Sequence, residues 1–439
     1  MITGSEINKA INLHNSNKLF EAEKIYKFIL KFDNKNYDAL HLLGALYFQL
    51  KKYDDSINLL KKAINSNKLF PVAYNTLGNV YAELKNYKKA TLTYKKSIEQ
   101  DSLYFEPYYN LANIYNKINK FGLAIKFYRK SLGINSESID ALCNLGVTYY
   151  NLNNFTLSLK YLDKAFLLNN TSINIKYNLA KTLIKIKRYE RAIKLLSEVV
   201  NTPEYSDEKH SSELLLSHLG IISPPKKTSI NHIKNIYKEH IDSWKSLKNI
   251  NHSNKNYFGH KLIINLLSDI HTNSSKYNCL DIGCGTGIIG EYLKKSCSKI
   301  TGVDISDEML KVAKLRNVYD VIKNEDIENF LNYSYEKYDL IICSAVLIHY
   351  SDLSDIISLV SSSLHENGYL VVSLFTDNSA KSFSTDFSGF FNHNPEYVKK
   401  ILNINNLKKL KIKNSIHEIR DGREILGTGY LYKKISNLI

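Results

Sequence analysis

Asp281, three alternate glycines (Gly283, Gly285 and Gly287) and Asp304, seventeen residues further on, combine residue types and spacing that suit chemistry on a ligand. They belong to Cys279-Leu280-Asp281-Ile282-Gly283-Cys284-Gly285-Thr286-Gly287 and to Val303-Asp304-Ile305. The first stretch reads as a buried strand ending in a glycine-rich turn that opens a helix, expected over Ile288 to Lys295. Without a Cβ the backbone can turn sharply and approach a bound molecule closely. The first N–H groups of a helix carry partial positive charge and suit a carboxylate or phosphate. An acid at the tip of the next strand, Asp304, is placed to accept from two ribose hydroxyls.

Two nucleotide-like cofactors suit this arrangement. A dinucleotide fingerprint wants G-x-G-x-x-G, and Ile288 stands where its third glycine belongs, which disfavours an oxidoreductase. Asp281 is awkward beside a pyrophosphate but welcome beside a cationic amine. The pattern resembles motif I of the class I S-adenosylmethionine-dependent methyltransferases, whose cofactor carries an amine, a carboxylate and a sulfonium. The resemblance implies S-adenosyl-L-methionine held by Asp281, Gly283, Cys284, Gly285, Gly287, Asp304, Ile305, Met309, Asp326, Ile327 and Ser344. Of these, Asp326 (with Glu325 as the alternative) stands where the family has an acid that accepts from the adenine amine.

The elements that must hold these residues alternate. A helix over Ser306–Leu315, a short strand at Tyr319–Ile322, and buried strands at Tyr338–Cys343 and Gly368–Phe375 around a helix at Leu353–Leu364 imply a parallel sheet covered on both faces. Leu407–Ile419 and Gly427–Ile435 read as a hairpin around Arg420-Asp421-Gly422, supplying an antiparallel edge. Two helices are expected between Ile230 and Ile270, where Tyr237 and Trp244 read as core. An acceptor would sit beyond the fourth strand, near Ser344, Ala345, His349 and Tyr350. His349 is the candidate base, since surroundings can bring its pKa near neutrality; the alternative is a histidine that caps or packs the following helix.

The first half repeats. Ala10, Gly44, Gly78, Ala112, Gly146 and Ala180 recur at a spacing of 34, followed three residues on by Leu13, Tyr47, Tyr81, Tyr115, Tyr149 and Leu183, and twelve on by Ala22, Ser56, Ala90, Ala124, Ser158 and Ala192. Small residues let two helices approach, and the larger residue fills the space beside them. This resembles the tetratricopeptide repeat, six copies over residues 3–206. Such stacks leave a groove, and regularly spaced amides at Asn79, Asn110, Asn113, Asn144 and Asn178 would pair there with an extended protein or peptide partner. Residues 207–230 read as a linker or solenoid cap, with Leu214, Leu215, Leu216 and Leu219 sealing the last repeat.

Together with Asp352-Leu353, Ser388-Gly389-Phe390-Phe391-x-His393-x-x-x-Tyr397-Val398 and Arg420-x-Gly422, the chain resembles bacterial methyltransferases with amino-terminal tetratricopeptide repeats. By that resemblance His393, Tyr397 and Arg420 border the acceptor pocket, while His349 falls where relatives often carry an aromatic. Where the family usually has an acid after its fourth strand, this chain has Ala345.

Composition narrows the rest. Of 439 residues 44% are hydrophobic and 23% charged, as in globular protein. The net charge of +16 is uneven, +13 over residues 1–206 and +3 over 207–439, and a lysine-rich bias accounts for it as readily as an acidic partner does. No nucleic-acid reading motif, membrane-length apolar run or signal-peptide pattern occurs. Five cysteines without paired spacing suit a reducing compartment, hence a cytoplasmic expectation, and no metal-ligand motif is present. The expected fold is α + α/β: a helical tetratricopeptide solenoid followed by a Rossmann-like seven-stranded methyltransferase domain over 231–439. The expected function is methyl transfer to a small-molecule or protein acceptor; the competing reading is a non-catalytic scaffold with a degenerate methyltransferase fold.

Overall fold

The computed structural model describes residues 4–204, 206–245, 257–270, 277–385, 389–420 and 423–436, with the backbone alone at 239–245. The Trp244 side chain, Ser388 and the 421–422 turn therefore lie outside the described residues. The chain divides into two compact units, residues 1–195 and 196–439.

The 34-residue period builds paired helices, from Gly4–Asn15 with Leu19–Phe32 to Ile173–Lys185 with Tyr189–Val200. The small residues set how closely each pair packs. A Cβ on Gly44 would come 2.9 Å from Leu60, and one on Gly146 2.7 Å from Leu162. At Gly78 the clash would be with the Tyr94 ring, at 2.4 Å. A second period was hidden in the sequence: residues 17, 51, 85, 119, 153 and 187, all Asn or Lys, adopt left-handed φ between 57° and 62°. Each lets the next N–H donate back across the turn, as Lys52 N does to Tyr47 O (2.8 Å) and Asn154 N to Tyr149 O (2.9 Å), capping orphan carbonyls of the first helix.

The asparagines expected in the groove are engaged within the solenoid. Asn110 Nδ2 donates to Asn75 Oδ1 (3.0 Å) and Asn79 Oδ1 (3.1 Å), and Asn144 Nδ2 donates to Asn113 Oδ1 (3.0 Å). Tyr94 and Tyr128 hydroxyls also donate to Asn79 and Asn113, and Asn178 Nδ2 donates to the Asn174 carbonyl. About one repeat separates the partners of Asn110 and of Asn144 in sequence, so these amides tie neighbouring repeats together, while the tyrosine and Asn178 bonds stay within a repeat.

In the second unit the alternating apolar runs form β1 (Tyr277–Ile282), β2 (Cys297–Asp304), β3 (Val321–Asn324), β4 (Tyr338–Ser344) and β5 (Leu364–Thr376), parallel in the order β3-β2-β1-β4-β5. The terminal hairpin, β8 (Leu407–Arg420) and β9 (Arg423–Lys434), adds two strands, with β9 antiparallel to β5. These seven strands match the expected sheet. A short pair, β6 (Phe383–Thr385) and β7 (Phe391–His393), extends it at the end of β5. Alternate strand residues feed two cores: Leu280, Ile282, Ile341 and Val372 on one face, Cys279, Leu340, Ile342 and Val371 on the other.

The segment expected as a linker is built into this unit. The helix Asp207–His218 is capped by Ser206 and places Leu214 against Gly389, while His218 Nδ1 meets the Thr385 carbonyl at 2.6 Å. Further on, Lys227 bridges to Tyr350, and Thr228 N donates to His349 O at 2.8 Å.

Candidate active site

The strand order reverses at β1, which has β2 on one side and β4 on the other, and ligands of open α/β sheets bind beyond the strand ends at such a point. There the structure has a cavity of about 430 Å³. Of the residues singled out from sequence, Asp281, Gly283, Cys284, Gly285, Asp304, Ile305, Met309, Asp326, Ile327, Ser344, His349 and Arg420 line it. Gly287, Glu325, His393 and Tyr397 do not.

The turn after β1 uses left-handed φ at Gly283 (68°), Gly285 (52°) and Gly287 (83°). A Cβ on Gly283 would strike Val346 at 2.7 Å, whereas one on Gly285 would meet no atom nearer than 4.0 Å and would stand in the cavity wall. The following helix runs only over Ile288–Leu293, shorter than expected, so the turn and its acids, rather than a helix end, define the site. Asp304 fastens that turn: Oδ2 accepts from Gly285 N (2.9 Å) and Oδ1 from Ser306 N (2.8 Å). Burial raises its pKa, and the backbone N–H groups oppose that rise.

Asp281 is 1% exposed. Its Oδ2 accepts from the Tyr319 hydroxyl at 2.7 Å, while Oδ1 has no hydrogen-bond partner among the described residues. Burial pushes its pKa up to about 7; the Tyr319 bond lowers it, and Asp304 raises it further. An unpartnered buried carboxylate oxygen beside a second acid fits a cationic amine and repels a phosphate.

At the other end of the cavity, Asp326 caps the helix Ile327–Tyr333, with Oδ1 accepting from Glu328 N at 3.1 Å. Its Oδ2 and Glu328 Oε2 both take Lys227 Nζ, at 2.8 and 2.7 Å, and that ammonium lies 5.0 Å over the Tyr350 ring. Lys227 was invisible to sequence reasoning: it lies in the presumed linker, and only the strand-like pairing with Tyr350 delivers it here.

His349 is buried beside Tyr237, whose hydroxyl is 3.1 Å from His349 Nε2. Burial, then His232 and Lys227, lower its pKa to about 3, away from the neutrality expected of a base. A neutral imidazole at every physiological pH is a hydrogen-bonding wall. Tyr237, expected in the core, is thus part of the site.

The expected border residues divide. Arg420 lines the cavity, its Nε donating to Glu418 Oε1 at 2.6 Å and its guanidinium 4.7 Å over Phe390 and 5.3 Å over Phe375. Tyr397 instead donates to Asp352 Oδ1 (2.8 Å) and accepts from Leu353 N (2.9 Å), with His393 stacked on it. The two hold the turn that leads out of the cavity, because the Tyr397 hydroxyl finds its partners there. Sequence reasoning missed Tyr257, Phe375 and Glu418 as lining; Phe390 lay within a quoted motif without a role.

A methyltransferase-domain profile matches residues 280–372, and one described as anaphase-promoting complex, cyclosome, subunit 3 matches residues 12–97 and 109–199. A ubiquinone biosynthesis O-methyltransferase of Bordetella avium is 28% identical over 127 residues, covering 28% of this chain and 50% of that protein. One from Hydrogenovibrio crunogenus is 30% identical over 106 residues, covering 23% and 43%. The chain spans about half the length of the curated relatives it matches. The solved magnesium protoporphyrin IX methyltransferase of Synechocystis, with bound SAM, is 20% identical, covers 47% of this chain and 96% of that one, and gives a TM-score of 0.36. The second unit thus carries a class I methyltransferase domain. The chain as a whole joins that domain to amino-terminal repeats of the tetratricopeptide kind.

Among the described residues no helix is long and apolar enough to cross a membrane, and no cluster of His, Cys, Asp and Glu is set to hold a metal. All five cysteines are free.

Proposed function

We propose that the protein transfers a methyl group from S-adenosylmethionine to a small-molecule acceptor. The observation that carries this is the unpartnered Asp281 Oδ1 beside the glycine turn. When bound, the cofactor supplies a methyl group made electrophilic by its sulfonium, so no protein nucleophile is required. Asp281 would hold the ammonium, Asp304 the ribose hydroxyls through its remaining lone pairs, and Asp326, steadied by Lys227, the adenine amine. The residues beyond β4 exclude water and orient the acceptor. The relatives' names support a small-molecule acceptor and transfer to oxygen.

For the repeats we propose contact with a protein or peptide in the groove. Asn110, Asn144 and Asn178 spend both amide N–H groups within the repeats, so the contact would fall to the Nδ2 groups of Asn79 and Asn113, which enter that ladder through Oδ1. Thermal shift tests the catalytic reading: S-adenosylmethionine should raise the melting temperature by mass action, and NAD should not. A shift with NAD alone would instead favour a dinucleotide enzyme, and none with either would favour a scaffold.

A further inference from the structure

The cavity's far side, toward β5 and β8, is walled by rings in unbroken contact. Tyr237 meets His349 at 6.0 Å between centroids, His349 meets Phe390 at 5.4 Å, and Phe390 meets Phe375 at 5.9 Å. Phe375 then meets His417 at 5.0 Å, and His417 meets Tyr257 at 5.3 Å. All but His417, which lies behind, line the cavity. Every contact is edge to face, within the separations at which aromatic pairs attract. The polar groups of this wall engage one another, Tyr237 with His349 and Arg420 with Glu418.

We propose that this chamber takes a planar aromatic acceptor, bound by ring contact and methylated on a hydroxyl oxygen; the proposal rests on the cofactor reading above. In the transfer the O–CH₃ bond forms as the S–CH₃ bond breaks, the electron pair of the latter staying on sulfur. The oxygen's proton goes to solvent, so a phenol and the sulfonium give an aryl methyl ether, a thioether and a proton.

The character of the wall separates this class from a sugar or an aliphatic alcohol. The Arg420 guanidinium is fixed in the wall, and burial holds His349 and His417 at a pKa of about 3, with Lys227 adding to the first effect and Arg420 to the second. Both imidazoles are therefore neutral and the guanidinium is balanced by Glu418, so the wall offers rings rather than net charge. A sugar or aliphatic alcohol would bring several hydroxyls that need partners to a wall made mostly of rings. An aromatic hydroxyl matches ring to ring.

The test uses the full chain. Calorimetry first establishes S-adenosylmethionine binding; without it the cofactor reading itself fails. S-adenosylhomocysteine release is then followed with catechol, 4-hydroxybenzoate, gluconate and butylamine. In parallel, calorimetry titrates the two aromatics into protein loaded with S-adenosylhomocysteine. The expected result is saturable aromatic binding, with an aryl methyl ether by mass spectrometry and a rate that rises with pH toward the acceptor's own pKa. Phe390→Leu should weaken aromatic binding about tenfold through loss of a ring contact while leaving the cofactor's Kd unchanged. Turnover of gluconate or butylamine without the aromatics, or cofactor binding with no measurable affinity for either aromatic, would overturn the proposal.

Discussion

Replacing Asp281 by Asn probes the site at its most exposed assumption. Burial raises this carboxyl from 3.8 to about 7, a rise worth about 4 kcal/mol against keeping it ionised. An ammonium placed against Oδ1 recovers part of that penalty. Because the folded pKa exceeds the unfolded one, the folded protein holds the extra proton between roughly pH 4 and 7. Its stabilising contribution is complete below about pH 4 and lost as pH rises through 7, so above pH 7 the Asn variant should be at least as stable as the parent. Cofactor binding needs the ionised form. Its Kd should therefore fall about tenfold for each pH unit between 5 and 7, then level before the ligand's own amine, near pH 7.7–8.0 for an α-amino group, loses its proton. In the variant, removing one partner of a buried pair costs about 3 kcal/mol, roughly a hundredfold in Kd, and the acid limb disappears. Calorimetry between pH 5 and 7.5 on both proteins measures this. A parent Kd independent of pH, or a variant binding as tightly as the parent, would refute the reasoning.

Other outcomes follow from the same geometry. Lys227→Met should raise the cofactor Kd about tenfold, by loss of charge-assisted bonds worth about 1.5–3 kcal/mol in part, and remove much of its salt dependence; an unchanged Kd would deny the residue any part in the adenine end. His349→Phe should keep turnover within a few-fold of the parent, because an imidazole with a pKa of about 3 is no base at neutral pH; a hundredfold loss would restore it to acid–base work. Gly78→Ala should lower the repeat unit's stability by about 1–3 kcal/mol in urea unfolding, since the added Cβ meets a Tyr94 ring that is buried and bonded through its hydroxyl; no change would mean the helix pair tolerates separation.

The fold was legible because both halves write it in periodic form. Small residues every 34 positions give the solenoid, and apolar runs between helical stretches give the sheet. The left-handed turns at Asn17, Lys51 and their successors were not, since lysine gives no local sign of that conformation. In the site, Asp281, Asp304 and the glycines were readable from one contiguous motif, where geometry is local. Lys227, Tyr257 and Phe375 come from three distant segments that meet only in the folded chain, and nothing in their neighbourhoods marks them. His349 was readable as a position but not as a chemistry: its pKa depends on burial and on Lys227, which no motif specifies. Tyr397 shows the converse, a motif residue whose hydroxyl serves a turn.

The most direct measurement is a crystal structure of the protein grown with S-adenosylmethionine. The expected result is the ligand's ammonium within about 2.7–3.2 Å of Asp281 Oδ1, its ribose at Asp304 and its base toward Asp326 and Lys227. Density for the methionine end anywhere else in the cavity, with Asp281 Oδ1 still unpartnered, would contradict the reading of the glycine turn on which the function rests.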